Sequence, residues 1–148
     1  MAREAILEIN CGRYSERIID VIELFGELGW KYYDLENNIE YLPLGDNDNF
    51  DWQKRVISDS ELKEIINNKQ EKSEQIGLNL YYQNSGVGII LLAKNTNELV
   101  IGLSINRRTV ENSRDSITDV GWYFKHIIQE LNKKGCPIDN VKFEEYVD

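Results

Sequence analysis

The chain has little of what catalysis draws on. Among its 148 residues there is one histidine, His126, and two cysteines, Cys11 and Cys136. A lone imidazole removes most metal cages and most general-base schemes, which need several ligating or titrating groups. Two cysteines widely separated in sequence make no disulfide framework, so the expectation is a pair of free, buried thiols. No dinucleotide-binding glycine loop, P-loop or nucleophile elbow occurs. Long apolar runs are missing too. Nothing approaches the roughly 20 residues of a membrane-spanning helix. At the N-terminus, Glu8 and Asn10 break up any secretory core. These absences point away from an enzyme, a cofactor or a membrane partner, and toward a cytoplasmic protein.

What the chain has in excess is acid. Twenty-six Asp and Glu oppose 17 Lys and Arg, for a formal net charge of −9. Such a surface repels phosphate backbones and anionic lipid, which excludes nucleic acid as a natural partner, and it attracts basic proteins. Hydrophobic content of 41% with 29% charged residues is that of a folded domain. The length fits one domain over residues 1–148 with a core of its own.

The longest apolar runs lie between residues 78 and 110. Asn84-Ser85-Gly86 and Lys94-Asn95-Thr96-Asn97 interrupt them with residues that tolerate hairpin turns. Three consecutive antiparallel strands follow, a meander over about 78–105. Residues 87–93 are apolar at both alternate sets of positions, which predicts a central strand covered on both faces. Residues 99–105 lean toward one buried face. Gly88 and Gly102 mark a bulge or a close approach by a helix.

Elsewhere, residues 5–11 alternate as a strand. Ile18, Val21, Ile22, Phe25 and Leu28 then recur at helical spacing, which predicts a helix over 16–28 capped by Ser15 and stopped by Gly29. Residues 30–35 and 39–44 read as a second hairpin, with Pro43 near an edge. Ser58 and Glu61 form a capping box that opens a helix over 59–74, whose polar second half projects into solvent or frays. Ile117, Val120, Phe124, Ile127, Ile128 and Leu131 predict a long helix over 116–133, capped by Asp115 or Ser116 and ended by Gly135 and Pro137. Residues 140–147 form a last strand. The fold class is α+β, three helices on a mostly antiparallel sheet.

One segment carries an unusual charge pattern. Residues 34–53 hold six acids and no Lys or Arg, with Tyr41, Phe50 and Trp52 among them. Carboxylates steer and pair with a basic partner while rings supply desolvated anchors, so Glu40, Tyr41, Asp46, Asp48, Phe50, Asp51 and Trp52 form the candidate partner-binding set. Calcium chemistry does not fit: counted from Asp46, loop position 5 is Phe50 and position 12 is Ile57, where oxygen ligands belong. A second reading places a small-molecule pocket between the meander and the C-terminal helix, lined by Tyr81, Tyr82, Tyr123 and Arg107 or Arg108. Arg107, Arg108 and Arg114 also mark a second candidate site on an acidic chain.

In size, acidity and α+β pattern the chain resembles the immunity proteins of bacterial toxin–immunity systems, including those of contact-dependent inhibition. That resemblance implies a cognate toxin, commonly a basic nuclease, blocked by tight one-to-one binding that occludes its positively charged active site.

Overall fold

The meander forms where the apolar runs lie. The computed structural model describes residues 2–148. Strands β5 (Ile76–Tyr82), β6 (Gly88–Ala93) and β7 (Leu99–Ile105) pair in sequence order. Around them the chain adds β1 (Arg3–Ile9), helix α1 (Ile18–Glu27), β2 (Trp30–Lys31), β3 (Ile39–Tyr41), β4 (Gln53–Arg55) and helix α2 (Asp59–Glu71). Helix α3 runs through three contiguous segments, Val120–Tyr123, a π-helical Phe124–Gln129, and Glu130–Lys133, before β8 (Val141–Val147). The strands make one eight-stranded sheet in the order β4-β3-β5-β6-β7-β1-β8, with β2 also on β5, and every pairing is antiparallel. The chain is α+β.

Strand periodicity decides where the core sits. Side chains alternate across a strand, so Leu7, Leu78, Leu80, Leu91, Ile101 and Leu103 share one face, and all are buried. Against them lie Ile18, Ile22 and Phe25 of α1, Leu62 and Ile66 of α2, and Tyr123, Ile127 and Leu131 of α3, in one cluster. Each such Leu or Ile contributes about 1.5–3 kcal/mol relative to exposure. The opposite face carries Ile6, Ile90, Leu92 and Val100, all only partly buried, and among the described residues no helix lies on it. The expectation that β6 is covered on both faces therefore fails. Gly88 does mark a bulge, since the β6–β7 register shifts between it and Ile90.

Local chemistry moved several boundaries. Ser15 does not cap α1 directly: its hydroxyl donates to Asp20 (2.6 Å) and accepts from Arg17 N–H, while Gln70 of α2 accepts the Ile18 N–H at 2.8 Å. Ser58 caps α2 as expected, accepting from Glu61 N–H at 3.1 Å. The second half of α2 does not project into solvent. Lys69 is 1% exposed, with Nζ donating to the Pro43 carbonyl at 2.7 Å and paired with Glu74 at 3.3 Å. Residues 30–44 do not form a simple hairpin either. Both β2 and β3 pair with β5, and only the Tyr33–Ile39 bridge joins the two arms. Strand β4, pairing with β3, had no counterpart among the expected strands.

Helix α3 begins at Val120 rather than near residue 116, with Asp119 as its cap. Thr118 is held in an isolated bridge to Thr109, which takes residues 116–118 out of helical geometry. The π-helical turn coincides with the Trp30 indole, which donates to the His126 carbonyl at 3.1 Å; a side chain inserted into the ladder is a common source of such irregularity.

Glu145 of β8 ties this region together. Burial opposes ionisation of its carboxylate. Hydrogen bonds from the Thr118 hydroxyl (2.7 Å) and N–H (3.1 Å), with Arg3 and Arg107 at 3.5 and 3.7 Å, outweigh that and hold its pKa below the usual value. Glu145→Gln is expected to lower the melting temperature at pH 7. The stabilisation belongs to the charged form, so it is complete above about pH 4.5 and fades as pH falls through the depressed folded value. Melting curves of the two proteins should therefore converge on acidification.

Candidate functional site

The acidic segment enters the structure at the margin of the uncovered sheet face. Asp34 opens it with a local turn, its Oδ1 accepting from Glu36 N–H (2.8 Å) and Asn38 N–H (3.0 Å). Glu40 of β3 lies on the uncovered face and accepts from Asn79 Nδ2 at 2.9 Å. Its neighbour Tyr41 points to the helix side and is 2% exposed; its hydroxyl accepts from Arg55 Nε at 2.8 Å. Leu42 and Trp52 close over Gly77, where a Cβ would meet both side chains within 3 Å. Only glycine leaves that space. Gly77 is the register partner of Leu92, so Trp52 continues an apolar row formed by Val100 and Leu92 on the same face.

Between Leu42 and Trp52 the chain makes a compact loop whose base is fixed from α2. Lys69 holds the Pro43 carbonyl, and Glu74 accepts the Gly45 N–H at 2.8 Å. Asp46 is the organiser. It is 6% exposed, and its two carboxylate oxygens accept from Phe50 N–H and Asp51 N–H, each at 2.9 Å. Asn47, Asp48 and Phe50 all adopt left-handed backbone, with φ of 53°, 60° and 54°. For a ring as large as Phe this conformation is an outlier, at roughly 1–3 kcal/mol per residue. Two hydrogen bonds to a carboxylate are worth about 1.5–3 kcal/mol each and offset much of that strain. The result is a preset loop with the Phe50 ring 49% exposed between Asp48 and Asp51.

The candidate set therefore divides. Asp48, Phe50 and Asp51 are exposed together at the tip, Trp52 and Glu40 border the uncovered face, and Asp46 and Tyr41 are buried. Burial takes the last two out of any direct contact: Asp46 shapes the loop, and Tyr41 belongs to the core. Asp48 has one weak cationic neighbour, Lys94 at 3.9 Å. Among the described residues no group of three or more His, Cys, Asp or Glu side chains converges as a metal site.

The other candidates resolve differently. Space between the meander and α3 is filled by Trp30, Tyr82, Trp122, Tyr123 and His126, whose rings pack at centroid distances of 4.5–6.1 Å. Burial and the nearby Lys125 and Arg108 push the His126 pKa down, the carboxylate of Glu130 opposing them. Tyr81 lies on the opposite sheet face from Tyr82 and Tyr123, so the residues expected to line one pocket do not converge. A cleft of about 310 Å³ opens instead beside Tyr81, bordered by Lys31, Tyr33 and Lys54. Within it Lys54 pairs with Asp34 at 3.7 Å and the Lys31 ammonium lies over the Tyr33 ring at 5.9 Å, and no spacing in the sequence signalled the cleft. Two of the three arginines are spent on structure as well. Arg107 donates to the Ser116 carbonyl and to Thr118, and the exposed Arg108 stacks over Trp122 at 5.0 Å; Arg114 is exposed with no hydrogen bond or ion pair among the described residues. Cys11 and Cys136 are free and buried, and burial pushes both thiols up, which quiets them as nucleophiles. No helix among the described residues is long and apolar enough to cross a membrane.

Replacing Asp46 by Ala removes the loop's organiser without touching its tip. The expected outcome is a loss of about 2 kcal/mol in stability and new protease cleavage within residues 46–51, read by chemical denaturation and limited proteolysis. With the geometry in view, comparisons with protein-family models, with curated proteins and with solved structures find no match.

Proposed function

We propose that this chain is a binding protein of the immunity type, which captures a basic protein toxin and neutralises it by covering its positively charged active site. The observation that carries this reading is the presentation of Phe50, an aromatic ring held half exposed between two exposed carboxylates on an acidic chain. Carboxylates steer a basic partner and pair with it at the rim, while the ring supplies an anchor that gains by leaving water. Because Asp46 presets the loop, little ordering entropy is lost on binding. Trp52, Leu92 and Val100 extend the tip into a shallow apolar surface against which a partner can settle. A nuclease is the toxin chemistry this reading names. Its active site gathers cations to hold substrate phosphate, and Asp48 and Asp51 compete for those cations. Such a partner is met in the cytoplasm, and no catalytic step is asked of this chain.

Immobilised protein and a variant carrying Asp48→Asn, Phe50→Ala and Asp51→Asn together test the reading against lysate of the native host. The intact protein is expected to retain a basic protein in salt-sensitive fashion, and the variant to bind it at least about tenfold more weakly. Equal retention by both, or no basic protein in either eluate, contradicts the proposal.

A further inference from the structure

The two edges of the sheet are built differently. β4 closes one with three residues, two of them Lys54 and Arg55, and short charged edges resist further pairing. β8 closes the other with seven residues, most of them exposed, and among the described residues pairs only with β1. The direction of its backbone groups follows from its register. Asp148 N–H donates to the Ala2 carbonyl at 2.8 Å, and the Asn140 carbonyl accepts from Asn10 N–H at 3.2 Å. Bonded and non-bonded pairs alternate in an antiparallel ladder, so the even-numbered residues of β8 turn their N–H and C=O groups toward β1. Val141, Phe143, Glu145 and Val147 therefore aim theirs outward, at an edge that no other strand occupies among the described residues. The side chains of Lys142 and Glu144, opposite Glu8 and Ile6, lie on the uncovered face.

We propose that two copies of this chain pair antiparallel through β8, with Phe143 opposite Phe143 of the second copy. A two-fold pairing must keep side chains on matching faces, so its centre must fall on a residue and not between two. Centring on Phe143 sets Lys142 opposite Glu144 twice, once on each side of the axis. Centring on Lys142 or Glu144 sets like charges directly opposite, and so does centring on Glu145; like charges in that position are destabilising. The Phe143 register alone gives two opposite-charge pairs. In it the outward groups of Val141, Phe143 and Glu145 meet those of Glu145, Phe143 and Val141. The Glu145 charge, already matched by Arg3 and Arg107 within its own chain, does not repel the incoming strand. The assembly is an isologous dimer with one sheet running through both copies. It uses an edge remote in strand order from β3 and β4, so it does not rest on the proposed partner.

Sedimentation equilibrium on the full chain tests this. The intact protein is expected to dimerise as concentration rises. Lys142→Glu and Glu144→Lys, each made alone, are expected to weaken association about tenfold, and the two together to restore it, because the swap rebuilds both charge pairs. Val141→Pro removes an outward N–H that β1 does not use, and is expected to abolish the dimer while leaving the melting temperature near that of the intact protein. A chain that stays monomeric up to about 1 mM overturns the proposal. So does a dimer indifferent to the single charge reversals, or a double variant that associates no better than either single one. Should Val141→Pro fail to fold, the charge swap still decides.

Discussion

One-sided burial governs this molecule. The core cluster draws on the helix-facing residues of the sheet and on all three helices, so a single face of the sheet provides the hydrophobic stabilisation. The other face must live with partial exposure of Ile6, Ile90, Leu92 and Val100. An antiparallel sheet can do this, because alternation lets one face stay wet. The acidic segment is the chain's own partial remedy. It wraps from β3 to β4 and lays Leu42 and Trp52 over Gly77, leaving the rest of that face open. The surface proposed for binding thus follows from where the helices are not.

The loop at the end of that segment shows how a strained feature is kept. Three left-handed non-glycine residues in four positions are unfavourable in isolation. They persist because the buried Asp46 carboxylate satisfies two backbone donors at once, and because Lys69 and Glu74 clamp the base. Lys69 is the costliest part of the arrangement. A buried ammonium is tolerable only with the Pro43 carbonyl and Glu74 in place, and removing one partner of such a pair is destabilising by about 3–5 kcal/mol. Stability in α2 and exposure of Phe50 at the tip are therefore coupled through one cation.

Much of the fold was legible from pattern. The meander declared itself through apolar runs broken by turn residues, and α2 through Ser58 three residues ahead of Glu61, because both signals are local. Sidedness was not legible. Ile90 and Leu92 are as apolar as Ile89 and Leu91, and only the placement of the helices separates them. The start of α3 was missed because Thr118 is claimed by a bridge to Thr109 across a loop and by Glu145, which is distant in sequence. Within the acidic segment, the sequence marked the right stretch but could not separate Asp46 from Asp48. The two look alike until the backbone folds back on the first of them. Tyr41 carried the same ambiguity, since a strand sends alternate residues to opposite faces and the short β3 offers too few residues to read its phase. Lys69 gave no warning at all, lying in a polar run that predicts solvent.

We propose that a partner meets this chain at the Phe50 loop and along the uncovered face beside it. Hydroxyl-radical footprinting of side chains, with and without the basic protein captured from native lysate, tests this placement of the interface. It predicts that Phe50, Trp52 and Leu92 become protected in the complex, while Tyr14, beside α1 on the helix side, keeps its reactivity. Protection of Tyr14 with Phe50 and Leu92 unchanged would place the interface on the helical face and contradict the account.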